Sequence, residues 1–119
     1  MIKVYAGIAA FTLAWTHSVQ KTEWEEDWRI VDSRLVLVEA RVQGTGAGME
    51  PPPESRFDGR FWRWTPTLAP LSEVVLRRSG ATDDWRLCVN GVCQPLSAVL
   101  PANADPVVLA ACDTAENPR

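Results

Sequence analysis

The feature that most limits the fold of this chain is a train of short strand-like segments separated by turn dipeptides. Segments rich in β-branched and aromatic residues run at about Ile2–Ala6, Ala10–Ser18, Glu23–Val31, Arg34–Val42, Arg60–Thr65, Glu73–Arg78, Trp85–Val89, Val92–Gln94 and Val107–Ala110. Turn signals fall between them at Ala6-Gly7, Asp32-Ser33, Ser79-Gly80 and Asn90-Gly91. Nine prolines and seven glycines leave little room for long helices, although Leu96–Leu100 fits one helical turn. The expected fold is all-β: a small antiparallel β sandwich or partly open barrel. Residues 44–55 form its one long Gly/Pro loop, which Pro51, Pro52 and Pro53 should hold extended and stiff.

The chain has 119 residues, which suits one β domain over 1–119, with 113–119 as a loose tail. Hydrophobic residues make up 46% and charged residues 23%, a globular rather than a disordered balance. The net charge of -3 and the lack of a Lys/Arg run argue against nucleic acid as a partner. No apolar run is long enough for a membrane span. The segment from Met1 to Trp15 superficially looks like a secretory leader. However, Phe11-Thr12-Leu13-Ala14-Trp15-Thr16-His17 alternates large and small with the period of a strand.

Cys88 and Cys93 flank Val89-Asn90-Gly91-Val92, and Asn-Gly is the strongest two-residue hairpin signal. With that turn, Cys88 faces Cys93 in a non-hydrogen-bonded pair, where Cα atoms approach to about 4.5 Å. A disulfide then fits, and it implies an oxidising compartment. Cys112 is left over, either as a buried thiol or as a competitor for one of the pair.

Register reasoning yields a candidate binding cluster. If residues 19–22 close a loop, His17 faces Trp24, Trp15 faces Glu26, Leu13 faces Trp28 and Phe11 faces Ile30. If Asp32-Ser33 is a two-residue turn, Trp28 faces Leu37, Glu26 faces Glu39 and Trp24 faces Arg41. One face is then apolar and ends in His17, Glu26, Glu39 and Arg41, rimmed by Trp15 and Trp24. Facing carboxylates on an apolar surface need a proton or a cation between them. Three readings stay open: a polar cluster bridged by Arg41, a pocket for a small ligand or a partner's side chain, and a metal site using the single histidine. A one-residue slip would send Glu39 to the other face. The six tryptophans are either core filler or an aromatic ligand wall.

Catalytic readings are weaker. Neighbouring strand residues point to opposite faces, so His17 is a poor base for Ser18. Glu26 and Glu39 would have the spacing of a retaining glycosidase pair, but a chain of this size offers little cleft around them. Gly44, Gly46 and Gly48 miss the dinucleotide fingerprint, because Gly48 comes one residue early and prolines follow in place of a helix. Gly46 and Gly48 are instead candidates for close backbone approach or an anion-binding nest. No catalytic constellation and no cofactor motif emerges, and the expectation is a binding module rather than an enzyme.

Trp15-Thr16-His17-Ser18-Val19-Gln20-Lys21-Thr22, followed by Glu26 and Trp28, resembles the His-Ser-Val signature of a small bacterial family, domain of unknown function 1850. Glu39, then Gly44-Thr45-Gly46-Ala47-Gly48-Met49-Glu50-Pro51, resembles its second signature, a Gly-Ala-Gly loop running into proline. Asp84-Trp85-Arg86-Leu87-Cys88 and Cys93 resemble its C-terminal hairpin, so the likeness spans about residues 2–112. The resemblance implies an exported, periplasmic protein encoded beside TAXI-type TRAP transporters, which take up small organic acids. It implies no reaction. Such proteins usually carry an N-terminal leader, from which this numbering departs. The resulting expectation is an accessory module with a protein partner in a TRAP-type transporter system. The alternative is a domain that binds a small organic acid or a metal through His17, Glu26 and Glu39.

Overall fold

The computed structural model describes residues 2–6, 10–16, 21–44, 51–78 and 83–111. Ten strands account for most of them: β1 (Ile2–Ala6), β2 (Ala10–Thr16), β3 (Glu23–Val31), β4 (Arg34–Gln43), β5 (Arg56–Phe57), β6 (Phe61–Trp64), β7 (Glu73–Leu76), β8 (Arg86–Val89), β9 (Val92–Pro95) and β10 (Val107–Ala111). A single 3-10 turn, Leu96–Ala98, follows β9, inside the expected helical turn. The fold is all-β as expected, and no closed barrel forms.

A seven-stranded antiparallel sheet runs in the order β5-β6-β4-β3-β2-β8-β9, and a three-stranded sheet runs β1-β10-β7. The second sheet contains the one parallel pairing among the described strands, β1 with β10. A bridge between Leu35 and Leu71 stitches the start of β4 to the approach of β7, with N···O distances of 2.7 and 2.9 Å. The core lies between the inner faces of the two sheets. Phe11, Leu13, Trp28 and Leu35 come from the large sheet, and Leu76, Val107 and Leu109 from the small one. Leu96 of the 3-10 turn is fully buried and closes the end of this core.

Local sequence explains the hairpins. Asn90 and Gly91 have φ of 53° and 81°, and Asp32 and Ser33 have φ of 51° and 63°. Both pairs are left-handed at the two central positions, the twist a two-residue hairpin needs. Asp and Ser tolerate it because their side chains can bond to nearby backbone. Across the first of these turns Cys88 pairs with Cys93, and the two form a disulfide with Cα atoms 3.9 Å apart.

Two features departed from expectation. Pro51–Pro53 do not simply extend, because Pro53 and Glu54 lie in a turn that the Ser55 N–H closes by donating to the Pro52 carbonyl at 2.9 Å. The short strand β5 then follows, unsignalled in the sequence because two residues cannot show a period. Gly46, Gly48, Cys112, the tail 113–119 and the Ser79-Gly80 turn lie outside the described residues.

Candidate functional site

Strand β3 carries the predicted cluster, and its two hairpin partners decide which face each residue takes. On the β2 side, Trp15 faces Trp24, Leu13 faces Glu26 and Phe11 faces Trp28. This register lies two residues from the expected one, which set Trp15 against Glu26. Facing parity is kept, so the same residues still share the inner face. Aromatic pairing accounts for the choice. Trp15 stacks on Trp24 at a centroid distance of 6.0 Å, and Phe11 on Trp28 at 6.4 Å; each such pair adds on the order of 1 kcal/mol beyond area burial.

On the β4 side the register holds as expected from Asp32-Ser33 to the Trp28–Leu37 pair, and then a bulge intervenes. Asp27 faces Glu39, Glu26 faces Ala40, Glu25 faces Arg41 and Trp24 faces Val42, which leaves Val38 as the extra residue. The expected facing of Glu26 with Glu39 and of Trp24 with Arg41 is therefore corrected. Without the bulge, the apolar face would receive both the Glu39 carboxylate and the Arg41 guanidinium. With it, Ala40 and Val42 turn inward and are buried, and the two charged residues turn outward. The sequence does carry a sign of this switch. Inward residues 35 and 37 are followed by 40 and 42, a three-residue step that breaks the period of two.

The predicted residues consequently separate into two sites. On the outer face, Arg41 Nε donates to Glu25 at 2.7 Å, and its other nitrogens donate to Asp27 at 2.8 and 3.1 Å and to Glu39 at 2.9 Å. Arg63 on β6 continues the network to Glu39 at 2.6 Å and Asp58 at 2.5 Å, and Thr12 donates to Asp27 at 2.8 Å. Burial opposes ionisation of Asp27, but hydrogen bonds from Arg41 and Thr12 and the charges of Arg41 and Arg63 outweigh it and lower its pKa. Arg41 and Glu39 thus belong to a charge clamp that joins β3, β4 and β6. Arg41 does bridge carboxylates, but Glu26 is not one of them.

On the inner face, Glu26 sits between Trp24 and Trp28 along the strand. The Trp28 indole N–H donates to it at 3.2 Å, and it makes no ion pair with any described residue. Burial raises its pKa above the ordinary 4.5, and the Trp28 hydrogen bond opposes this only in part. The Trp24 indole nitrogen and the Thr22 hydroxyl are enclosed with no hydrogen-bond partner among the described residues. An orphaned polar group of this kind costs about 1–3 kcal/mol.

The tryptophans divide in the same way. Trp28 is 4% exposed and belongs to the core, whereas Trp15, Trp24, Trp62, Trp64 and Trp85 are only partly buried. Four of the partly buried ones form a continuous row. Trp64 meets Trp24 edge-on at 6.4 Å, Trp24 stacks on Trp15, and Trp15 meets Trp85 at 4.9 Å. Trp62 packs on Phe57, which is 51% exposed, at 5.0 Å. Sequence reasoning placed Trp15 and Trp24 in the site but could not add Trp64 of β6 and Trp85 just before β8, which arrive from segments far along the chain.

His17, Gly46 and Gly48 lie outside the described residues. Among the described residues no group of His, Cys, Asp and Glu is arranged to hold a metal ion. Because Glu26 and Glu39 point to opposite faces, neither a three-ligand metal site nor a paired-carboxylate hydrolase can use both. No helix among the described residues is long and apolar enough to cross a membrane.

A pocket of about 380 Å³ opens at the Trp85 end of the row. Trp15, Trp85, Arg77, Arg78, Asp84 and Asp105 are among the residues that line it. No curated protein and no solved structure matches the chain. Residues 11–96 match the family described as a domain of unknown function, DUF1850. That match takes in β2 through β9, and so the tryptophan row, Glu26, the Arg41 clamp and the disulfide hairpin. The chain belongs to the DUF1850 family.

Proposed function

We propose that the chain is an extracytoplasmic binding module that acts through a protein partner. The observation carrying this reading is the row Trp64–Trp24–Trp15–Trp85, whose members stay partly exposed while the sixth tryptophan, Trp28, fills the core. Tryptophan is costly to leave in water and is enriched where partners anchor. Glu26 adds a desolvated carboxyl that a partner's donor or cation would satisfy, and the Trp24 N–H adds a donor with no acceptor among the described residues. The Cys88–Cys93 disulfide favours an oxidising compartment and hence the periplasmic location that the resemblance implied. In this reading the partner is a component of a TAXI-type TRAP transporter system, as that resemblance also implies. The module is an accessory with no reaction of its own.

Calorimetric titration of the oxidised protein with a purified TAXI-type substrate-binding protein tests this. Saturable binding that weakens at least about tenfold in Trp64→Ala, the loss of one anchor residue, is expected. Unchanged affinity in folded Trp64→Ala and Glu26→Gln variants would remove this surface from the interaction. No binding to any transporter component would remove the partner.

A further inference from the structure

Facing pairs carry one inner row across the large sheet: Leu87 of β8, Leu13 of β2, Glu26 of β3, Ala40 of β4 and Trp64 of β6. Glu26 is the only residue of this row that ionises, and Trp24 and Trp28 flank it along β3. The charges of the neighbouring strands lie on the other face. Glu25 and Asp27 on β3, Glu39 and Arg41 on β4 and Arg63 on β6 belong to the outer clamp, and Arg86 on β8 pairs outside with Glu23. The described part of β2 has no charged residue. From the small sheet Leu76, Val107 and Leu109 turn to the core, and Glu73 of β7 is exposed. Among the described residues, no charge therefore faces Glu26.

The carboxyl itself is only half engaged. Its Oε1 accepts the Trp28 indole N–H at 3.2 Å, and no described residue donates to Oε2. Glu26 also stays partly exposed, so an incoming group can reach it, whereas Trp28 beside it is 4% exposed. An ionised carboxyl here loses water without gaining an opposite charge. A neutral donor would bond one oxygen and leave that charge uncompensated. A metal ion would find one carboxylate among apolar neighbours, where a stable site needs several ligands. An organic cation on an apolar stem answers both needs. Its head matches the carboxylate, and its stem lies against Leu13, Ala40 and the Trp24 ring, a surface that attracts cations.

We infer that Glu26 is the receptor for a cationic side chain of the partner protein, a lysine or an arginine whose aliphatic stem lies along the tryptophan row. This inference rests on the partner reading above and supplies the chemistry by which the partner is recognised.

Butylammonium and propylguanidinium, the side chains of lysine and arginine in isolation, are the probes, with butanol and butyrate as neutral and anionic controls. Each is titrated into the oxidised protein alone, and the indole N–H resonances of Trp24 and Trp28 are followed by NMR. At pH 8 at least one of the two cations should give saturable shifts at both tryptophans, butanol should bind more weakly, and butyrate should not bind. Glu26→Gln should weaken the bound cation at least about tenfold, as expected when one member of a desolvated charge pair is lost, and should leave butanol unchanged. At pH 3.5 Glu26 is protonated and both probes keep their charge, so wild type should behave as Glu26→Gln does. Equal binding of butanol and the cations, unchanged cation binding in Glu26→Gln, or no saturable shift at either tryptophan would each overturn the inference. The titration contains no partner protein, so its failure is separate from failure of the partner reading. Probe binding without binding of any transporter component would overturn the assignment of the cation to that partner.

Discussion

Substitution of Arg41 by Met tests whether the bulge at Val38 is what allows β4 to carry charge. Arg41 is 12% exposed and holds Glu25, Asp27 and Glu39, whose side chains are 24%, 38% and 31% exposed. Methionine keeps most of the aliphatic stem, so the loss is mainly that of the guanidinium. A hydrogen bond to a charged group contributes about 1.5–3 kcal/mol. The partners here are a quarter to more than a third exposed and regain water when released, so roughly 1 kcal/mol per carboxylate is a fair share. The expected cost is about 3 kcal/mol, at the lower edge of what breaking a buried ion pair costs. At about 2.1 cal/mol/K per residue, the 119 residues give an unfolding entropy near 0.25 kcal/mol/K and a fall in Tm of about 12 °C.

Urea and thermal unfolding at neutral pH measure this, with Arg29→Met as the control. Arg29 is exposed on the same outer face, and its loss should stay within about 0.5 kcal/mol. The pH dependence supplies a second check. The folded pKa of Asp27 lies below the ordinary 3.8. Its contribution is present above 3.8 and is lost as the pH falls through the folded value. The gap between wild type and Arg41→Met should therefore close in strong acid. A loss below about 0.5 kcal/mol at neutral pH, or a gap that widens in acid, would show that the clamp does not hold the sheet in this register.

Two further outcomes follow from the inner face and the hairpin. The pKa of Glu26 is raised by burial, so between the unfolded value and the folded one the native state holds more protons and stability falls as pH rises. Glu26→Gln, which preserves an acceptor for the Trp28 N–H, should be more stable than wild type at pH 8 and equal to it at pH 3.5, as read by urea unfolding; destabilisation at pH 8 would mean an ionised Glu26 with a cation partner. Replacement of both Cys88 and Cys93 by Ala removes a crosslink whose ends are five residues apart, which lowers stability by at most about 2 kcal/mol on loop entropy. Calorimetry of the oxidised protein and the double variant checks that figure, and a much larger loss would show that the hairpin depends on the bond for its fold.

Local sequence determined much of this protein. Asn90-Gly91 and Asp32-Ser33 dictated two hairpins, because few residues accept left-handed backbone at both turn positions. The first turn also set Cys88 opposite Cys93. Alternation in β2 and β3 placed Phe11, Leu13, Trp15, Trp24 and Trp28 on one face, and a register error of two residues left that placement intact because side chains repeat every two. Tertiary structure alone decided the rest. A single bulged residue reversed the facing of Glu39 and Arg41 and dissolved the expected cluster, since a shift of one turns every later side chain over. It is favoured because the ions gain partners on the outer face that the inner face does not offer. Trp64 and Trp85 joined Trp15 and Trp24 through strand order, which no local period encodes. The pocket likewise depends on Arg77, Asp84 and Asp105, which come from three separate segments and meet only when the chain is folded.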